Sequence, residues 1–271
     1  MAPSRLRRAW RVPVRAHLAV LALVLIGLLP VVGTSGAFMP DEGAAVIQAR
    51  SLARGDGWLV EHPVPEADPH RRYYPLALGE QGSRGIAPLG KHPLYPVLLA
   101  GAYRMGGIPA MFVLSLVGTV VAAGLAAVLA RRLDAALARP AVWAVGLASP
   151  LVFDGYLLVA HTLGAAAAAA AVWAAVVAVE RRTPGAVLAV VPAVAAAVLL
   201  RTEALLLVGA LAVAALTVAV TRGEVAAAAV AAAATLAAGV AHVGERAWIG
   251  GIVGGDVGAP VPPFRHGGTG F

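Results

Sequence analysis

The chain has 271 residues, of which 60% are hydrophobic and only 13% charged, with a formal net charge of +7 and no cysteine. Soluble domains average roughly 25% charged residues, so this composition excludes an ordinary soluble domain and favours a polytopic membrane protein. The lack of cysteine excludes disulfides, thiolate metal sites and a cysteine nucleophile.

The chain begins with a basic N-terminus at residues 1–16, followed by an apolar run that we predict to be a first transmembrane helix at residues 17–33. A cleaved signal peptide is the alternative, because Ser35-Gly36-Ala37 would suit cleavage. Further apolar segments follow, which favours an uncleaved helix. The arginines before it place the N-terminus in the cytoplasm under the positive-inside rule.

Six more apolar segments follow within residues 108–243, and most approach the roughly 20 residues that cross a bilayer. They cover residues 108–130, 141–160, 162–179, 186–200, 204–220 and 225–243. With the first helix they predict an all-α membrane protein of about seven transmembrane helices. Alanine runs lower the hydrophobicity of two segments, although small side chains also let helices pack closely in lipid.

Arginines in alternate links determine the predicted orientation. If the links at Arg131 and Arg132, at Arg181 and Arg182, and at Arg222 all face the cytoplasm, every link obeys the positive-inside rule. The loop at residues 34–107 and a Gly- and Pro-rich tail at residues 244–271 are then extracytoplasmic. We therefore predict a multi-pass protein of the cell membrane, in which topology explains the basic charge and no nucleic-acid partner is expected.

Residues 94–104 are apolar but span only about 16 Å as a helix, which is too short to cross a bilayer. We predict a juxtamembrane helix here, within the extracytoplasmic loop. If this segment crossed the membrane, every later link would change sides, and the charge asymmetry argues against that.

Two short motifs in this loop carry the candidate chemistry. The first is Pro-Asp-Glu at residues 40–42, where Asp41 and Glu42 begin a helix-like run. Their alternative role is to cap that helix, which is worth about 0.3–1 kcal/mol for each acidic residue. The second is Gly-Lys-His-Pro-Leu at residues 90–94, which contains Lys91, the one lysine in the sequence. The alternative role of Lys91 is an interfacial anchor for lipid phosphates.

The order of these elements, with Arg-Arg-Leu at residues 131–133, resembles the polyprenyl-phosphate-dependent glycosyltransferases of the GT-C fold. The protein O-mannosyltransferase and aminoarabinose transferase families are the most similar by pattern, over residues 15–250. The resemblance implies that Asp41 is the catalytic aspartate, with Glu42 beside it, and that Lys91 approaches the donor phosphate. His92 stands where the family usually has proline. Members are commonly longer, so we expect the chain to correspond to their N-terminal half.

This resemblance implies transfer, with inversion, of a hexosyl or pentosyl group from a polyprenyl-phosphate sugar in the membrane lipid to an acceptor. The acceptor, a glycan, lipid or protein, would lose its hydroxyl proton to Asp41 while Lys91 and Arg201 stabilise the departing phosphate. The resemblance assigns no cofactor. A divalent cation shared by Asp41 and Glu42 is left open, because two carboxylates do not define a metal site.

Further candidates lie in the other predicted extracytoplasmic links. Arg201 is the second candidate phosphate ligand, although Arg201 and Glu203 could simply pair with each other. Asp154 falls inside an apolar run, where a functional role is the default hypothesis and Arg201 is one candidate partner. The supporting candidates are His92, Asp154, His161, Glu203, Arg71 and Arg72.

Two other functional classes stay open, a membrane transporter or flippase-like protein, and a noncatalytic partner of a split transferase completed by a second polypeptide. Transporters usually carry polar or broken-helix features near the bilayer midplane. Here nearly all charged residues lie at the predicted ends of helices, which favours chemistry at the membrane surface.

Overall fold

The structure is a computed structural model that describes residues 12–34, 38–60, 66, 78–80, 86–87 and 92–253. These residues are almost entirely helical. The helices are α1 (Val14–Val32), α2 (Pro40–Arg54), α3 (Leu94–Leu133), α4 (Ala138–Gly146), α5 (Leu151–Asp154), α6 (His161–Arg181), α7 (Pro184–Leu188), α8 (Val190–Leu200), α9 (Ala204–Arg222) and α10 (Val225–Val253), with a 3-10 turn at Ala135–Leu137 before α4. Strands β1 (Leu78–Glu80) and β2 (Ile86–Ala87) pair antiparallel, with Leu78 opposite Ala87.

Five helices within the described parts of the chain are long and apolar enough to cross a membrane: α1, α3, α6, α9 and α10. Such an architecture is consistent with a multi-pass membrane protein, as the composition predicts. The finer count of seven transmembrane helices stays a prediction.

Helix α3 is broken about one third of the way along its 40 residues. Gly106 and Gly107 leave helical geometry. Gly107 has φ 66° and ψ −154°, a backbone conformation that residues with a Cβ rarely adopt. The break divides α3 into two parts of unequal length. We call residues 94–105 its first half and residues 108–133 its second half. It falls where the sequence predicted the juxtamembrane helix to end and a transmembrane helix to begin.

Residues 141–160, predicted as one apolar helix, are not continuous. Helix α4 ends at Gly146, α5 has four residues, and turns and bends fill the remainder as far as Ala160. The hydroxyl of Ser149 donates to the Val145 carbonyl at 2.6 Å and accepts from the Leu151 N–H at 3.3 Å. These local hydrogen bonds compete with the helical ones, and Pro150 has no N–H to continue the helix.

The predicted helix at 186–200 is also interrupted, because α7 and α8 meet at Ala189. Pro192 explains the break, since its ring crowds the carbonyl of Leu188, four residues earlier. At the other end of the chain, α10 continues to Val253. The predicted tail at 244–271 therefore begins as helix, and its residues from 254 onwards lie outside the described part.

Small side chains bring α2 against the first half of α3. Ala45 and Ala49 are fully buried on α2 and pack in one apolar cluster with Leu99 of α3. Arg104 of α3 completes the attachment by donating from Nε to the Ala53 carbonyl at 2.9 Å, where α2 ends. Helix α2 is therefore held along its length, which positions the side chains at its N-terminus.

Candidate functional site

A pocket of about 280 Å³ lies where α2, α3 and α6 begin and where α8 meets α9. We call this the pocket end of the helical bundle. Its lining combines five of the residues singled out in the sequence with apolar residues from the same elements. The lining residues are Asp41, Ala45, His92, Tyr95, Leu158, Val159, Ala160, His161, Arg201 and Glu203.

Glu42 is fully buried and its carboxylate accepts three backbone hydrogen bonds. Oε2 accepts from the N–H groups of Phe38 at 2.7 Å and Met39 at 3.2 Å, and Oε1 accepts from the N–H of Leu158 at 2.9 Å. The first two bonds complete the N-terminus of α2, and the third ties that helix to the turn before α6. Glu42 is therefore a structural carboxylate in this geometry, the capping role that the sequence left open.

Asp41, the neighbouring residue, is exposed on the pocket wall. Among the described residues, its carboxylate has no hydrogen-bond or ion-pair partner. It lies in the first turn of α2, where the partial positive charge of the helix N-terminus favours an anion. Of the two adjacent carboxylates, Asp41 is thus the one available to a ligand or a proton.

His92 has a left-handed backbone conformation, with φ 49°, immediately before α3. Its Nδ1 lies 2.8 Å from Oε1 of Glu245, a residue of α10 that is only 3% exposed. The sequence did not indicate Glu245, because residue 244 was expected to begin a tail. A carboxylate on an unbroken continuation of the last apolar helix is the pattern that could have revealed it.

Asp154 pairs with His161, whose Nδ1 lies 3.2 Å from Oδ2 of the carboxylate. Arg201, the partner considered from the sequence, pairs with Glu203 instead. The turn between α5 and α6 brings the two residues together and leaves His161 on the pocket wall. A carboxylate at Nδ1 favours the imidazole form with hydrogen on that nitrogen, which leaves Nε2 for a ligand.

Arg201 forms a two-point ion pair with Glu203. Its Nε lies 3.1 Å from Oε2 of Glu203, and its Nη2 lies 2.9 Å from Oε1. A hydrogen bond from its own backbone N–H, aided by the charge of Arg201, lowers the pKa of Glu203 below its ordinary value. The local pairing considered from the sequence is therefore present, and both residues still line the pocket.

The stem of Arg201 packs against α6 at Gly164. A Cβ on Gly164 would lie 2.7 Å from Cγ of Arg201, closer than side-chain atoms normally approach. The glycine therefore leaves the space through which Arg201 reaches the pocket.

Three sequence candidates, Lys91, Arg71 and Arg72, lie outside the described residues, so their roles stay predictions. The proposed cation site gains no support from the geometry, because both oxygens of Glu42 already accept backbone hydrogen bonds. Across the described part of the chain, no group of three or more potential His or carboxylate ligands is close enough to hold a metal ion.

Comparisons with protein families, with curated proteins and with solved structures find no match to this chain. The residues of the pocket and the two loop motifs are therefore the basis for any statement about function.

Proposed function

We propose that the chain is an integral membrane glycosyltransferase that moves a sugar from a polyprenyl-phosphate donor to an acceptor on the extracytoplasmic face of the cell membrane. The observation that supports this most is the contrast between Asp41 and Glu42. One of two adjacent carboxylates is saturated by backbone donors, while the other is exposed in a small polar pocket. Such a carboxylate has the position that a general base requires.

Charge distribution supports an extracytoplasmic pocket. The second half of α3 extends about 39 Å at 1.5 Å per residue, and it runs from the pocket end to Arg131 and Arg132. Helices α6 and α9 also begin beside the pocket and end at arginines, Arg181 and Arg222. We call this the arginine end of the bundle, and the positive-inside rule favours a cytoplasmic location for it.

Pocket size suits a single sugar ring. Pockets for drug-sized ligands run from about 300 to 1,000 Å³, so a volume of about 280 Å³ lies just below this range. A long isoprenoid chain does not fit inside it. In the proposed complex the isoprenoid chain of the donor lies among lipids, while the sugar and its phosphate occupy the pocket.

The proposed reaction is a single displacement. The acceptor hydroxyl oxygen forms a bond to the anomeric carbon as the bond from that carbon to the phosphate oxygen breaks, and the phosphate leaves with the electron pair. Asp41 accepts the hydroxyl proton. Arg201 has five N–H donors, so its guanidinium can bind the leaving phosphate while it remains paired with Glu203. Lys91 is the second phosphate ligand by resemblance.

A transporter is less well supported, because this pocket lies at one end of the bundle rather than between helices at their midpoint. Transporter sites typically lie near the bilayer midplane, at broken helices. The break in α3 at Gly106 and Gly107 lies close to the beginning of its apolar half rather than at its centre.

Lipids that co-purify with the detergent-extracted protein provide the test. We expect mass spectrometry to find a prenyl-phosphate sugar with the wild type and to find it depleted with Lys91→Ala and Arg201→Ala. Arg222→Ala, at the arginine end, is the matched control and should retain the lipid. A folded wild type that retains no prenyl-phosphate sugar from membranes that contain one would contradict the proposed donor.

A further inference from the structure

The last ten or so residues of α10 contact both described ends of the loop that joins α2 to α3. Glu245 meets His92, directly before α3. Trp248 meets Trp58, shortly after α2, with ring centroids 5.8 Å apart and an edge-to-face angle of 86°. Residues three apart lie on the same face of a helix, so one face of α10 makes both contacts.

Two features of the His92 pair indicate more than a surface contact. Glu245 is only 3% exposed, and a buried carboxylate requires a charged or hydrogen-bonding partner. His92 has a left-handed conformation that residues other than glycine seldom adopt, and such a conformation persists where its surroundings enforce it. The contact between Nδ1 and Oε1 is an interaction that can enforce it here.

We propose that Glu245 is a positioning residue of the pocket, and that the end of α10 belongs to the site because it holds the imidazole of His92 in place. With Nδ1 of His92 facing Glu245, only Nε2 remains available to a ligand in the pocket that His92 lines. The ligand class is the phosphate or sugar oxygen of the donor, and only this identification rests on the proposed function. The contact between Trp58 and Trp248 keeps α10 aligned for the pairing.

Glu245→Gln is the central variant, because it removes the charge while keeping the shape of the side chain. His92→Asn is the second variant, since asparagine tolerates the left-handed conformation and keeps the chain foldable without the imidazole. Glu224→Gln is the matched control, because Glu224 precedes the opposite end of the same helix and pairs there with Arg182.

The measurements use the full-length protein in nanodiscs. Protein labelled with ¹⁵N at its seven histidines reports the Nδ1 resonance of His92, assigned by its loss in His92→Asn. Hydrogen–deuterium exchange reports the first half of α3. Binding of farnesyl phosphate, measured by native mass spectrometry, reports the pocket.

We expect Glu245→Gln to shift the Nδ1 resonance of His92, to accelerate exchange at residues 92–105, and to weaken binding of farnesyl phosphate about tenfold, as loss of a hydrogen bond to a charged group would. Adding Glu245→Gln to His92→Asn should weaken binding little beyond His92→Asn alone, because both changes remove the same interaction between Glu245 and His92. Glu224→Gln should leave all three measurements at wild-type values.

An unchanged Nδ1 resonance or unchanged exchange in Glu245→Gln would overturn the positioning role, as would additive effects in the double variant. If the wild type does not bind farnesyl phosphate, the proposed donor class fails instead. The nitrogen resonance and the exchange rates still decide whether Glu245 positions His92.

Discussion

The two ends of the bundle use ion pairs in different ways. At the arginine end, Arg132 pairs with Glu180 and Arg182 pairs with Glu224, so that successive links are joined by pairs of arginine with glutamate. Among the ion pairs that the described residues form at the pocket end, two have histidine in place of arginine, and the pairs surround a cavity. The pairs at the arginine end therefore join links, while those at the pocket end leave Asp41 and two ring nitrogens beside a ligand-sized space.

Volume alone would select a different region of the molecule. A larger groove of about 680 Å³ lies at the arginine end beside α7 and α10, and its walls are mainly apolar. Its ionic groups, Arg182 and Glu224, already pair with each other. The smaller pocket is the better candidate because its polar groups converge from several elements and one carboxylate lacks a partner within the described structure.

The largest expected effect comes from removing the carboxylate that distinguishes the pocket end. Asp41→Asn should reduce sugar transfer about 10²- to 10⁴-fold, the usual contribution of a general base, with little change in the thermal unfolding temperature. The measurement is transfer from the co-purified donor lipid in reconstituted vesicles. Asp134→Asn, at the arginine end, is the control, since Asp134 caps a short turn there. Retained transfer in Asp41→Asn would remove the base assignment.

Glu42→Ala should chiefly affect stability. The variant leaves three backbone N–H groups without their acceptor. The N–H of Leu158 is buried, and a buried unsatisfied donor costs about 1–3 kcal/mol. Loss of the helix cap adds about 0.5–2 kcal/mol. We therefore expect a loss of about 3 kcal/mol, measured as reversible unfolding in mixed micelles. Asp41→Ala, at the adjacent exposed position, should lose much less. Equal losses in the two variants would refute the division of roles between these carboxylates.

Gly164→Ala should disturb the pocket without replacing a charged residue. The added methyl group would meet Cγ of Arg201, so the guanidinium must move. We expect farnesyl phosphate to bind about tenfold more weakly, the loss of one hydrogen bond to a charged group, in a titration monitored by native mass spectrometry. Gly209→Ala, where a Cβ meets nothing within 4 Å, is the matched control. Equal affinity in both variants would show that Arg201 does not bind the probe.

The smallest effect concerns pH. Because the pKa of Glu203 is lowered in the folded protein, its stabilising contribution is present at neutral pH and is lost as pH falls through that lowered value. The ordinary glutamate pKa is about 4.3, so the loss should occur below it. We expect a small difference in unfolding temperature between wild type and Glu203→Gln at pH 7, vanishing in stronger acid. A difference that grows on acidification would contradict the assignment.

Local patterns in the sequence predicted several elements of this fold. The start of α2 follows from Pro-Asp-Glu at 40–42, and the break in α3 coincides with adjacent glycines at 106 and 107. Hydropathy predicted the long apolar helices because length and apolar content are properties of a single segment. It did not predict the interruption of 141–160, where Ser149 and Pro150 outweigh apolar content.

Contacts between residues far apart in the sequence could not be predicted from local sequence patterns. Glu245 and His92 are 153 residues apart, and their contact depends on α10 continuing past the expected end of its apolar segment. The partner of Asp154 depends on the path of the turn before His161, which hydropathy does not specify. The division between Asp41 and Glu42 required the position of Leu158, whose N–H selects one carboxylate for burial.

That last hydrogen bond has a mechanical consequence. Leu158 lies three residues before His161, so Glu42 couples the beginning of α2 to the beginning of α6. Asp41 and His161 therefore lie at the starts of two helices that this hydrogen bond links, which limits changes in their spacing. The distance between the Asp41 carboxylate and the His161 imidazole is therefore set before a ligand binds. Only a ligand whose polar groups match that distance can contact both side chains.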